Sequence, residues 1–211
     1  MEEYVNDLSK MALALTSAQL AKDNAVKDFG VGEEIALHFL GWAPLHLKMI
    51  CQMRQDIAKK SPEDRFERCA VACSMMRKLW GVSSITMVAE GYCSKDAART
   101  KGLELSKAFA NHDLPVFECI SVSHVSIGDD GSVTPVSMVA APFTVEIGKN
   151  VRWHDVLVYP EIAEKHTTQT KYPIMMRRAI SDETLIGELP KEQIEEMKNE
   201  MYTVGFIVQE F

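Results

Sequence analysis

The sequence predicts an α+β domain in which an antiparallel sheet, a hairpin followed by a meander, carries helices on one face, with an N-terminal helix and a C-terminal arm attached. Three observations predict it. A helix with both end signals in place spans 62–80. The run 82–93 alternates between two faces, as a strand does. Three apolar runs between 116 and 159 are separated by Gly128-Asp129-Asp130-Gly131 and Gly148-Lys149-Asn150, which are hairpin turns by composition because Gly, Asp and Asn tolerate positive φ.

In chain order, residues 2–29 read as a helix. Tyr4, Leu8, Met11, Leu15 and Ala18 recur at spacings of three and four, and Gly30 stands where a C-cap belongs. The apolar runs 35–40 and 45–51 flank Gly41-Trp42-Ala43-Pro44. A hairpin is favoured there over a helix because Pro44 would break a helix running through both halves. Over 62–80, Ser61 caps, Pro62 takes the first helical position, and Glu63 and Asp64 lie at the positive end of the dipole. Arg77 and Lys78 lie at the negative end, and Gly81 terminates the helix. Its buried stripe is Phe66, Cys69, Ala70, Cys73, Met76 and Trp80.

The strand 82–93 puts Ile85, Met87, Ala89 and Cys93 on one face and Thr86, Val88, Glu90 and Tyr92 on the other. Ser94 is expected to cap a helix over 95–110, with Ala98, Leu105 and Phe109 toward the sheet, weakened by Gly102 and closed by Asn111-His112-Asp113. Strands over 116–127, 133–147 and 151–159 complete the meander. The stretch 161–188, with the aperiodic run from His166 to Pro173, reads as a long loop or arm. A helix over 190–202 with Ile194, Met197 and Met201 on one stripe and a short strand over 204–211 end the chain. The expected division is a domain over 1–160 and an arm over 161–211.

Composition narrows the class. The chain has 211 residues, 46% apolar and 25% charged, which suits one soluble domain with arms rather than two large domains. With 23 basic and 30 acidic side chains the formal net charge is -7, which argues against wholesale binding to nucleic acid or anionic membrane. The start, Met1-Glu2-Glu3, is acidic where a secretory signal is basic, so a cytoplasmic location is expected. The most apolar stretch, 133–147, carries Pro135 and Pro142 and falls short of the roughly 18 residues of a membrane span. Five scattered cysteines without CxxC point to reduced thiols. No cofactor and no metal are expected.

The order hairpin, capped helix, a strand Ser84-Ile85-Thr86-Met87-Val88-Ala89-Glu90-Gly91-Tyr92 and a meander opening Val116-Phe117-Glu118-Cys119-Ile120-Ser121-Val122 resembles a loose group of uncharacterised phage, prophage and environmental proteins. In that group an apolar strand ends in Glu, a small residue and an aromatic, over about residues 33–159 of this chain. Where such relatives show Glu-Ala-Trp this chain has Glu90-Gly91-Tyr92. The resemblance implies a phage-type origin and brings no activity with it.

The candidate catalytic set is Glu90, Glu118 and His124. Glu90 is a charge inside an apolar strand, which must be paired, exposed or shifted in pKa. If its strand neighbours that of Glu118, the two carboxylates can share a divalent cation or divide as an acid and base pair; the alternative is that each faces solvent from an open sheet face. His124 shares a strand face with Glu118, but six residues place it about 20 Å away. Adjacent His154 and Asp155 point to opposite faces and do not make one site. Cys93, at a strand end before the expected helix, is the best-placed thiol, lowered by a helix N-terminus and raised by burial.

The candidate binding set is Lys171, Tyr172, Arg177 and Arg178. Residues 165–180 hold Lys165 and these three bases with no acid, while 182–200 hold seven acids and two bases. Pairing between these two segments, within or between chains, competes with weak contact to a nucleic-acid backbone and is favoured over it. Twelve methionines, including Met75-Met76 and Met175-Met176, suit core filling or a partner surface. The function expected is a non-enzymatic binding, regulatory or assembly protein acting through self-association, as a homo-oligomer, or on a protein partner. The alternative is a metal-assisted hydrolase or nuclease using the sheet carboxylates.

Overall fold

The computed structural model describes residues 2–30, 34–44, 46–96, 99–100, 103–110, 114–146, 150–159, 171–182 and 190–211. Helix α1 (Glu2–Phe29) precedes the hairpin β1 (His38–Trp42) and β2 (Leu47–Met53). A short α2 (Gln55–Ala58) leads into α3 (Pro62–Trp80), then β3 (Ser84–Ser94), α4 (Leu105–Phe109) and β4 (Val116–Ser126). The chain continues through β5 (Ser137–Glu146), β6 (Asn150–Trp153), β7 (Leu157–Tyr159), α5 (Lys171–Ile180), α6 (Lys191–Val204) and β8 (Phe206–Glu210).

The strands form one antiparallel sheet in the order β6-β5-β4-β3-β1-β2-β8, with β7 also on β5. The α+β class, the hairpin over 38–53 and the antiparallel meander are as the sequence predicts. The last ribbon is broken at 154–156, so β6 and β7 lie in tandem along one edge of β5. Helices α3, α5 and α6 pack on one face over Phe39, Met49, Cys51, Ile85 and Val125. Helix α1 lies across the other face, burying Met11, Ala14, Leu15 and Ala18 against Val88, Ile120, Val122, Ala141 and Phe143.

The end signals of α3 operate as read. The Ser61 hydroxyl accepts from the Asp64 amide at 3.2 Å, and Gly81 takes a left-handed φ of 59° while its N–H closes on the Met76 carbonyl. Losing that cap in Ser61→Ala lowers the unfolding free energy by about 1 kcal/mol, measurable by urea titration. Here the burial belongs to Cys69, Ala72, Cys73, Met76 and Trp80, with Phe66 and Ala70 half-buried.

Two expectations are corrected. Of the helix predicted over 95–110, only Leu105–Phe109 is helical among the described residues. The Ser94 hydroxyl accepts from the Asp96 amide, two residues on, at 3.1 Å and so closes a turn instead of opening a helix. The irregular arm predicted over 161–188 contains α5, where Pro173, Met175, Met176, Ala179 and Ile180 bury at helical spacing against the core. Residues 190–211 are likewise woven in, since β8 pairs with β2 from Met49↔Glu210 to Met53↔Phe206. Ala98, Asn111-His112-Asp113, the Gly148-Lys149 turn, Lys165 and the run 166–170 lie outside the described residues.

Candidate functional site

Along α1 the buried stripe carries ionic groups at both ends. Asp7 lies four residues before Met11, and Lys22 lies four after Ala18, so helical periodicity turns both toward the sheet. Opposite them the even-numbered positions of β3 and β4 present Ser84, Thr86, Glu90, Glu118, His124 and Ser126 on one face, because the two strands pair directly with Thr86 across from His124 and Tyr92 across from Glu118.

At the N-terminal end of α1 a hydrogen-bonded chain crosses three strands. The Trp42 indole N–H donates to Thr86 Oγ1 at 2.9 Å, and Thr86 Oγ1 lies 2.7 Å from His124 Nδ1. His124 Nε2 lies 2.9 Å from Asp7 Oδ1, and the Ser126 hydroxyl donates to Asp7 Oδ2 at 2.7 Å. An ionised carboxylate only accepts, so His124 Nε2 carries a proton and donates it to Asp7. Burial alone would raise the Asp7 carboxyl; the hydrogen bond and charge of His124, the Ser126 hydroxyl and Lys10 at 3.6 Å outweigh it and hold it below its ordinary value. The chain has the connectivity of a hydroxyl, imidazole and carboxylate relay. Thr86 is 0% and His124 2% exposed, and the relay joins α1 to the sheet.

Toward the other end, Glu90 binds three pieces of chain together. Its Oε1 accepts from Lys22 Nζ at 2.7 Å and its Oε2 from the Ile35 amide at 2.9 Å, joining α1, the segment after it and β3. Lys22 is only 3% exposed and its ammonium also sits 5.0 Å from the centre of the Phe143 ring. Asp23 accepts from the Trp153 indole at 3.1 Å and extends the fastening to β6.

Glu90 and Glu118 therefore do share a face, offset diagonally by two residues. Burial, and then the charge of Glu90, pushes the Glu118 carboxyl up from its ordinary value. His124 is not brought to them: it is six residues along β4 from Glu118 and committed to Asp7. Among the described residues no three His, Cys, Asp or Glu side chains are arranged to hold a metal ion. His154, set apart, lies 3.3 Å from Thr144 Oγ1 and edge-on to Phe117, with burial and the charges of Lys95 and Arg152 lowering its pKa.

The basic set is divided by α5. Lys171 and Arg178 are exposed, Arg177 is half-buried, and Tyr172 packs edge-on to Phe66 at 5.6 Å between ring centres. Its ring is thereby engaged within the fold, while Arg177 and Arg178 border an open depression with Ile174, Ser181 and Asp182. Asp182 itself pairs with Lys78 of α3 at 2.8 Å.

Asp7, Lys22 and Asp23 are the site residues that sequence reasoning missed. The signal was present, since Asp7 and Lys22 continue the 11, 18 stripe at steps of four, where a charge must find a partner across the interface. No helix among the described residues is long and apolar enough to cross a membrane. Comparison with protein-family models, with curated proteins and with solved structures finds no match.

Proposed function

We propose that the protein is a non-enzymatic binding or assembly protein that associates with a second copy of itself through the outward face of α1. One observation carries this reading. From Met11 to Ala21 the helix bears no charged residue, and its outward positions are Ala12, Leu13, Thr16, Ser17, Leu20 and Ala21. A helix face left to water ordinarily carries charge, whereas here Leu13 and Leu20 stand 57% and 59% exposed. Seven residues apart, they lie on one seam, and the small residues between them let a second helix approach closely. The same stripe on two copies is self-complementary, which is what a two-fold interface requires.

The commitments on the inner face support the same reading. The carboxylate of Glu90 and the ring of His124, which a hydrolase would need free, are occupied in holding α1 in place. Light scattering on the eluting peak of a sizing column tests the proposal. Wild type is expected to run as a dimer, and Leu13→Glu/Leu20→Glu as a monomer with an unchanged circular dichroism spectrum, because both sites are outside the core. A wild type that stays monomeric at the highest concentration reached, or a charged variant that stays dimeric, rejects it.

A further inference from the structure

One corner of the sheet, on the face turned away from α1, gathers cations around an aromatic ring. The register of β4 with β5 and of β5 with β6 turns Phe117, Thr144 and Arg152 to that face, with Thr144 directly across from Arg152. His154 follows β6. Its ring stands edge-on to Phe117 at 5.3 Å between centres, and its Nε2 lies 3.3 Å from Thr144 Oγ1. Lys95 follows β3 and holds its ammonium 4.8 Å from the centre of the same Phe117 ring. Phe117 is half-buried in a small apolar cluster separate from the core beneath α3, while Lys95, Thr144 and Arg152 are exposed, Arg152 to 69%. Four strands thus bring one ring, two cations, an imidazole and a hydroxyl to one surface.

The charge here runs against that of the chain. The whole chain has 23 basic and 30 acidic side chains. The segments that contain Lys95 and Arg152, 95–101 and 149–154, carry five bases, Lys95, Arg99, Lys101, Lys149 and Arg152, and one acid, Asp96. Asp155 follows His154, and Glu146 stands 3.7 Å from Arg152 in an exposed pair, a contact weak enough to yield to a better anion. An aromatic ring interleaved with lysine, arginine and imidazole suits a nucleic-acid strand, whose phosphates pair with the cations while an unpaired base stacks on the ring. The Lys95 contact with the ring is itself exposed and therefore weak, so the ammonium can extend to a phosphate and leave the ring face to a base. A duplex hides the faces of its bases and offers the ring nothing. Because the cations are spread along a surface, a polymer with a phosphate at every residue meets several of them at once, where a lone phosphate meets one.

We propose that this corner binds single-stranded nucleic acid, with Phe117 as the stacking platform, Lys95 and Arg152 on phosphates, and His154 and Thr144 hydrogen-bonding to the strand beside them. The acidic remainder of the surface repels the polymer, so contact is confined to this corner and is sensitive to salt. The site is independent of the association proposed for α1, which covers the opposite face of the sheet.

The test is fluorescence anisotropy of a labelled oligothymidylate of about 12 nucleotides, within the span of known single-strand sites, titrated with the full chain at several salt concentrations. Wild type is expected to give a saturable rise, with log affinity falling against log salt at a slope of about -1.4, from two phosphates at about 0.7 each. Lys95→Ala and Arg152→Ala should each weaken binding and reduce the size of that slope by about 0.7. Phe117→Leu should weaken binding about tenfold and leave the slope as it is, because stacking releases no counterions. Lys171→Ala/Arg178→Ala, which removes two exposed bases of α5, should change neither quantity. No rise at the lowest salt, a duplex of the same length bound as tightly as the single strand, or equal losses in the α5 variant and in Lys95→Ala each overturns the proposal. Lys95 and Arg152 are exposed, so their variants decide the matter even where Phe117→Leu fails to fold.

Discussion

Glu90→Ala is expected to lower the unfolding free energy by about 3–5 kcal/mol, the usual cost of removing one partner from a buried ion pair. The Lys22 ammonium would keep its burial and lose its salt bridge, and the Ile35 amide would lose its acceptor. Replacing both ends in Lys22→Met/Glu90→Ala should recover part of that loss, because the buried ammonium and its desolvation cost are removed while the Ile35 amide still lacks its acceptor. Urea denaturation of the four members of this cycle measures the coupling. Glu118→Gln should behave oppositely. A carboxyl raised by burial and by a like charge favours folding while protonated, and that contribution is lost as pH rises through its folded value, so the neutral variant is at least as stable as wild type at neutral pH. Calorimetric titration with magnesium or manganese adds an independent readout: the assembly reading expects no binding heat from wild type, whereas saturable heat abolished by Glu90→Gln would favour the hydrolase. If Glu90→Ala leaves stability unchanged, the fastening role assigned to this carboxylate is wrong.

How far such a site was legible depends on which signals are local. The face of Glu90, its company with Thr86 and Tyr92 and the antiparallel order of the meander follow from alternation and from turn composition, both of which act within a dozen residues. What covers the open face depends on α1 reaching across the sheet, with Lys22 and its partner 68 positions apart in sequence. Periodicity marked Met11 and Leu15 as buried but did not decide whether a charge in the same register ends in water or on a carboxylate. Helix α5 was obscured for a different reason: the polar run ahead of it has no period, and Pro173 suggested continuation of a loop, although the apolar spacing from Pro173 to Ile180 is helical. The short α4 shows the reverse error, in which Ser94 looked like a cap and its hydroxyl closed a tighter turn.

Acid is expected to loosen α1 before the rest of the domain, through Asp7. The folded-state value of this carboxyl is below its ordinary 3.8, so ionised Asp7 contributes stability that is fully present above about pH 4 and is lost as pH falls through the lowered folded value. Removing the group in Asp7→Ala leaves two donors, His124 Nε2–H and the Ser126 hydroxyl, without their acceptor beneath the helix. Each such loss costs about 1–3 kcal/mol. At pH 6 the variant should therefore be less stable than wild type by that order, and the gap should close as both proteins are titrated below the folded value, where wild type has lost the same charge. Hydrogen exchange followed along the chain locates the effect: on acidification, protection should fall first in α1 while α3, packed on the opposite face and free of this network, retains it. A gap that persists undiminished to pH 2, or protection lost from both helices together, would mean that α1 is held by its apolar stripe alone and that the relay through His124 adds nothing to it.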